Sequence, residues 1–396
     1  MNKTFMSRNN RILEIALLSL QITCIAIIFS GMWLHSKHEK LLIVPLIIWA
    51  ILSVIAYGVK HHTFKIKNEK STQYLFAFLI IVNLVDILGY GFLHSTFVRG
   101  TTIVFSLFVL YNYRKYSIDT TTILISLSIL PSIIYCIHFY LINGDRPYLV
   151  NPNSFALLFS LTTLYFLFIE TNKKPVMILK YCLTILLLFC VLIMYSRASV
   201  IALVISVSFA FVIFNIKSIK KLSIFFMLLS IISIAFYYSG LADKLINKTE
   251  QQLSVLGENM NSADGFRLQA YRLGYELIQE KPIIGWGNNI STRSKELLSD
   301  EKYTKPFMKF FNNSSYSHFH NIYIDITVRF GLIATLLLIT LIGLTLNKVY
   351  RSKNILLFGY TIFFIIIGLF DSIFIFGTSF ILLSSLVLIS RKNNES

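Results

Sequence analysis

Apolar and polar residues follow one another along this chain in long blocks. Runs of near 20 apolar residues lie at about 12–33, 41–59, 73–93, 101–113, 120–142, 153–170, 175–194, 198–215, 222–240, 320–346, 354–370 and 372–390. A helix needs about 20 such residues to cross ~30 Å of hydrocarbon. The runs are continuous and lack the in–out alternation of barrel strands. The pattern predicts an all-α polytopic integral membrane protein with about 12 transmembrane helices. The fourth run is short, and little more than Asp371 separates the last two. The first run follows a basic stretch ending at Arg11. It exceeds a signal-peptide core and has no small-residue cleavage site after it, so it is expected as a retained first span.

One segment breaks the rhythm. Residues 241–319 contain no spanning run, with ten Lys/Arg against nine Asp/Glu. A loop of that length calls for a role of its own. The expected organisation is a transmembrane region at 1–240, a partly helical loop domain at 241–319 and a C-terminal transmembrane region at 320–396. Within the loop, Phe266, Ala270, Leu273 and Leu277 recur at helical spacing. They predict a helix over 264–280, capped by Asp264 and stopped by Lys281-Pro282. Ile283 to Asn289 (IIGWGNN) reads as a turn-rich connector, with Trp286 at the membrane interface.

Charge orients the spans. The 396 residues are 55% apolar and only 14% charged, where a soluble chain carries about a quarter. With the N-terminus in the cytoplasm, the cytoplasmic segments hold 19 Lys/Arg and the short outer loops five. This is a positive-inside asymmetry with both termini inside, and it makes 241–319 extracytoplasmic. It also explains the net charge of +17. That charge lies in topology-fixing loops near membrane lipid head groups, and no contiguous basic surface for nucleic acid is expected. Cys24, Cys136, Cys182 and Cys190 lie inside apolar runs without ligand spacing, so neither a disulfide nor a zinc site is expected.

The candidate chemistry gathers where the long loop meets the membrane. His318, His320 and Asn321 precede Tyr323 and Asp325 as the chain turns apolar. Polar groups there are costly unless they pair or line a cavity. A neutral imidazole can serve as a general base. Arg197 sits between two apolar runs with almost no loop around it. It reads either as a snorkelling anchor or as a clamp for a phosphate. Arg267 and Arg272 fall in the loop helix, Arg267 in its first turn, where free N–H groups also favour an anion. Asp86, Asp371, Arg99 and Arg146 are further charged groups in or beside spans, with structural roles open to each. No P-loop, Rossmann glycine pattern, HExxH or DxD-like motif is present. A site outside the cytoplasm has no ready nucleotide, so its donor must arrive activated, and a polyprenyl-diphosphate-linked sugar fits.

Four stretches resemble the superfamily of O-antigen ligases and O-antigen polymerases. They are Tyr195-Ser-Arg197-Ala-Ser199, Gly265-Phe-Arg267-Leu-Gln-Ala-Tyr271, Lys281-Pro-Ile-Ile-Gly285-Trp-Gly287, and His318-Phe-His320-Asn321 with Gly331. His320, Asn321 and Gly331 meet the ligase pattern of His, then Asn, Ser or Gln, then nine residues, then Gly. Ala334 departs from the usual Gly, Thr or Tyr three positions on. The likeness is detailed in the second half of the chain and only hydropathic in the first. The stretch around Gly368 and Asp371, with its brief basic tail, looks more like the ligases than the polymerases.

The resemblance implies a membrane glycosyltransferase with a GT-C-like fold, independent of metal or other cofactor, in the bacterial inner membrane with its site facing the periplasm. The donor would be an undecaprenyl-diphosphate-linked glycan and the acceptor a hydroxyl of lipid A–core oligosaccharide, with inversion at the anomeric carbon. His320 would be the base, and Arg197 and Arg267 would hold the diphosphate. His318, Asn321, Arg272, Asp371 and Arg99 are expected supporting residues. A polymerase joining lipid-linked repeat units is the alternative. A lipid-linked glycan flippase is less favoured, because the polar groups concentrate at one face rather than along several spans.

Overall fold

The computed structural model describes residues 15–17, 19–20, 22–27, 47–48, 50–55, 118–147, 152–171, 173–238, 240, 243, 247, 250, 260–298, 302–313 and 318–371. Among these the regular structure is helical throughout. In chain order the helices are α1 (Ile118–Asn143), α2 (Pro152–Phe168), α3 (Lys174–Ile193), α4 (Arg197–Asn215), α5 (Ile219–Tyr238), α6 (Ala263–Glu280), α7 (Ile290–Leu298), α8 (Lys305–Asn313), α9 (Ile322–Arg351) and α10 (Ile355–Gly368). Four are long and apolar enough to cross a membrane: Thr121–Asn143, Lys174–Ile193, Arg197–Asn215 and Ile322–Arg351. The chain is a membrane protein. Asp86, Arg99 and the runs expected at 73–93, 101–113 and 372–390 lie outside the described residues.

Two compact units are distinguished. In the first, which includes residues 99–203, α3 packs against both α1 and α2. Two polar contacts tie elements of this apolar bundle together. The Thr122 and Tyr165 hydroxyls meet at 3.0 Å between α1 and α2. The Lys180 ammonium donates to the Ile169 carbonyl just beyond α2 at 2.6 Å. A cation at a helix C-terminus answers the unpaired carbonyls there.

The second unit includes residues 204–376. Here α6 lies along α9, and α9 packs on α10. The expected loop helix runs from Ala263 to Glu280. Its stripe of Ala270, Leu273 and Leu277 is buried with Ile290, Leu298, Tyr303, Phe307, Phe311, Phe319 and Val328 in one apolar core. Its cap differs from the expectation. Ser262 is the N-cap, its hydroxyl accepting from the Gly265 N–H at 3.0 Å. Asp264 lies one residue inside the first turn, with its carboxylate on Arg267 instead. The run expected at 320–346 is a longer helix that continues to Arg351. Lys348 and Arg351 stand in its last turn, where cations favour helix over exit.

α9 is broken once, at Gly331, whose backbone has φ 75° and ψ 178°. In an uninterrupted helix the Leu332 N–H would bond to the Val328 carbonyl. Here the Leu332 N–H donates to the Pro282 carbonyl at 2.8 Å, and the Val328 carbonyl accepts from the Trp286 N–H at 2.7 Å. The turn after α6 is thus spliced into the hydrogen-bond ladder of α9, and both freed groups are paired, as buried backbone requires. The splice brings backbone onto backbone. A Cβ on Gly331 would overlap the Ile283 carbonyl, and one on Gly285 would meet the Arg329 carbonyl at 2.5 Å. Both glycines also have positive φ, which L-residues with a Cβ adopt only at a cost.

Candidate active site

Asn321 caps α9 and ties it to the end of α10. Its side-chain oxygen accepts from the Tyr323 and Ile324 N–H groups at 2.9 and 3.2 Å, making it the N-cap of α9. Its amide nitrogen donates to the Leu369 carbonyl just past α10, at 3.3 Å. The residue before it, His320, has φ 51°. A non-glycine residue in this left-handed region costs roughly 1–3 kcal/mol and persists only where surroundings impose it. Three neighbours do so here. The Tyr271 hydroxyl, from α6, lies 3.4 Å from the His320 carbonyl and 3.3 Å from that of Leu369. The buried Asp325 carboxylate accepts from the Phe319 N–H at 3.1 Å. The Phe319 ring is sunk in the loop core, 5.6 Å from Phe311.

The result is an imidazole in a fixed, half-buried position. His318 stands edge-on to it, with ring centroids 4.2 Å apart. Burial pushes the His320 pKa down to about 3, helped by His318 and then by the Arg267 cation. The ring is therefore neutral near pH 7, with a free lone pair on one nitrogen. The Arg267 guanidinium is held by Asp264 at 2.9 Å. Its field also reaches Tyr271, as do those of Asp371, Asp264 and Asp325, and burial raises that phenol's pKa. Arg267 and Tyr271 are four residues apart, and so share one face of α6.

The structure therefore brings together His318, His320, Asn321, Arg267 and Asp371 of the sequence-derived set. Arg272 is directed elsewhere. It pairs with Glu276 at 3.5 Å and lies 5.9 Å from the Tyr303 ring centroid. Sequence reading missed Tyr271 as the tie between loop helix, base and last helix, and missed Asp325 as the brace under Phe319. The spacing of four from Arg267 was the available signal for Tyr271. A cleft of about 370 Å³ lies at the opposite end of α6, lined by Glu280, Lys281, Trp286 and Arg293 among others. Arg293 is occupied there by Glu280 and Glu296, and no base of the His320 kind faces it.

Arg197 lies in the first unit and opens α4. Before it, Tyr195 has φ 52°. The Ser196 carbonyl accepts from the Val200 N–H at 3.1 Å, and the Ser196 hydroxyl donates to that of Ser199 at 3.1 Å. Burial and the neighbouring Tyr140 phenol raise the Tyr195 pKa, and the charges of Asp145 and Arg146 are felt there too. Arg197 is half-buried at a helix N-terminus, a position that favours anions.

Residues 182–339 match the family model described as O-antigen ligase. No curated protein matches the chain. The matched stretch contains the Arg197 turn, the whole of α6, the spliced turn at Gly285 and the His320–Gly331 segment. The likeness to the O-antigen ligase family thus covers residues 182–339 and takes in every motif of the site described above except Asp371.

Proposed function

We propose that the protein is an O-antigen ligase of the bacterial inner membrane, working at the periplasmic face. It transfers a glycan from undecaprenyl diphosphate to a hydroxyl of lipid A–core. His320 takes the proton of the acceptor hydroxyl. The oxygen attacks the anomeric carbon from the side opposite the diphosphate, the carbon–oxygen bond to the diphosphate breaks, and the configuration inverts. The observation that carries this reading is the neutral His320 ring, fixed in a left-handed backbone within the field of Arg267. The chain supplies base and cation from its own residues.

Electrostatics supports the division of labour. One cause of the low His320 pKa is the Arg267 cation. A diphosphate bound to Arg267 offsets that charge, so donor binding raises the basicity of His320 at the moment it is needed. Guanidinium–phosphate pairing is bidentate and stays charged throughout. In the free protein Asp264 occupies Arg267 and orients it for an incoming anion. Arg197 is assigned a donor-binding role of the same kind on the strength of its place at a helix N-terminus. His318, Asn321 and Asp371 support the base; Arg272 pairs with Glu276 instead, and Arg99 lies outside the described residues. The twelve-span topology, with a loop domain at 241–319 between transmembrane regions, belongs to the same proposal.

The test is the lipopolysaccharide profile of a deletion strain complemented with wild type or with His320→Ala. The ligase reading expects bare core and accumulated lipid-linked chains with the variant. Core capped by a single repeat unit would favour the polymerase reading. Normal decoration with His320→Ala would sink the role given to His320.

A further inference from the structure

The turn spliced into α9 carries two isoleucines with nothing packed over them. Ile283 and Ile284 are 61% and 62% exposed. They stand out from a domain whose other large apolar side chains mostly build the loop core. Their surroundings are not those of an aqueous loop. The Pro282 carbonyl accepts from the Leu332 N–H of α9, and Leu332 and Ile333 are themselves 45% and 47% exposed. Exposed apolar side chains continue down α9 at Leu336 and Ile339. The turn and the helix thus present one continuous apolar surface, and on α9 that surface belongs to a helix long and apolar enough to span a bilayer.

The depth of the turn follows from the charges of α9. Between Arg329 and Lys348 lie 18 residues without a charge. At about 1.5 Å per residue they measure about 27 Å, close to the ~30 Å of a hydrocarbon core. The uncharged stretch begins at Phe330, beside Gly331, where the turn docks. Groups suited to a membrane–water boundary surround the turn. The Lys281 ammonium lies 4.0 Å from the Trp286 ring centroid, and the Trp286 indole N–H is held by the Leu277 carbonyl at 2.9 Å. Trp and Lys with apolar neighbours are the residues of that boundary. Irregular backbone is tolerated at this depth only when its polar groups are paired within the protein, and the exchange between Leu332, Pro282, Val328 and Trp286 provides that pairing.

We propose that the turn Pro282–Gly285 is a membrane-inserted anchor, with Ile283 and Ile284 among the acyl chains at the edge of the hydrocarbon and Lys281 and Trp286 at the head groups. The partner is the lipid bilayer itself. This anchor fixes the height of α6 over the membrane.

The full-length protein, reconstituted in nanodiscs of phosphatidylethanolamine and phosphatidylglycerol, tests this with Ile283→Cys, Ile284→Cys and, as a water-facing reference, Lys309→Cys. A nitroxide at Ile283 or Ile284 is expected to relax faster with oxygen than with a water-soluble nickel chelate, and the order reverses at Lys309. A charged, membrane-impermeant maleimide, measured above the unsubstituted protein, is expected to label the two isoleucine positions at least ten-fold more slowly than Lys309. Equal labelling rates, or nickel access matching that at Lys309, would place the turn in water and overturn the proposal. Protection from both oxygen and nickel would mean that protein, such as a second copy of this chain, covers the turn, and would overturn it equally.

Discussion

Two turns of this molecule use the same backbone device for different chemistry. In Tyr195-Ser196-Arg197 and in His320-Asn321-Ile322, a non-glycine residue with φ near 50° stands two residues before the start of a helix. Each therefore delivers a side chain beside a helix N-terminus, where the backbone carries partial positive charge. The surroundings then part company. Burial and Tyr140 hold the Tyr195 phenol protonated. Burial, His318 and Arg267 hold the His320 imidazole unprotonated. One turn offers a cation and a donor, the other a lone pair. The lesson is that strain places a group, while neighbouring charge decides which protonation state it presents.

Substitutions that keep the backbone and change the side chain test this contrast most severely. Glycine tolerates the left-handed region, so His320→Gly preserves the turn and removes only the ring. Transfer is expected to fall by ~10²–10⁴-fold, the usual worth of a general base, with membrane levels unchanged on immunoblots. Tyr195→Gly removes no reacting group, and should lower transfer far less. Equal losses would break the comparison. Next in size, Arg267→Met and Arg197→Met each remove a charge-assisted contact worth roughly 1.5–3 kcal/mol, so kcat/KM for donor falls about ten- to a hundred-fold. Gly331→Ala acts on stability instead. Its Cβ overlaps the Ile283 carbonyl, and a loss of several kcal/mol is expected, seen as a lowered midpoint of thermal unfolding in detergent.

The pH dependence sharpens the same contrast. His320 has a folded pKa of about 3, below its ordinary value. Between about pH 6.5 and pH 3 the unfolded chain binds a proton that the folded chain refuses, so stability falls as pH drops through that window. His320→Asn should flatten this slope. The acid limb of kcat/KM, which reports the free enzyme, is expected well below pH 6.5, and Arg267→Met should move it upward by removing one of the depressing charges. The smallest effect is assigned to Tyr271→Phe. Its two contacts are long, at 3.3 and 3.4 Å, and about 1 kcal/mol of stability is expected to go with them.

Much of this was legible in the sequence where the signal is local. The stripe from Phe266 to Leu277 fixes α6 to within a residue, because helical period and a proline stop act over a few positions. The cap was misassigned because Ser262 and Asp264 are both good capping types, and side-chain geometry within one turn decides between them: Ser262 takes the Gly265 N–H while Asp264 pairs with Arg267. His320 and Asn321 could be found from their spacing to Gly331. The reason for the spacing could not. Gly331 meets a turn 46 residues earlier in the chain, and no periodicity encodes such a meeting. The positive φ of His320 was hidden because it depends on tertiary contacts: Tyr271 reaches it from α6, and the ring of its neighbour Phe319 is anchored in the loop core.

The splice between Pro282, Trp286, Val328 and Leu332 has a consequence for how the protein is made. Residues 282–286 leave the ribosome well before Gly331 does, and their two backbone partners do not yet exist. Until α9 is threaded, the turn has an unmet donor and an unmet acceptor. Until the turn is seated, α9 has no reason to break at Gly331 and would close its own ladder as a straight rod, aiming His320 elsewhere. Loop and span must therefore mature together. Slow amide exchange should appear at Trp286 and Leu332 in the same step, and a chain arrested between the two would carry every site residue up to Arg329 and still have no site.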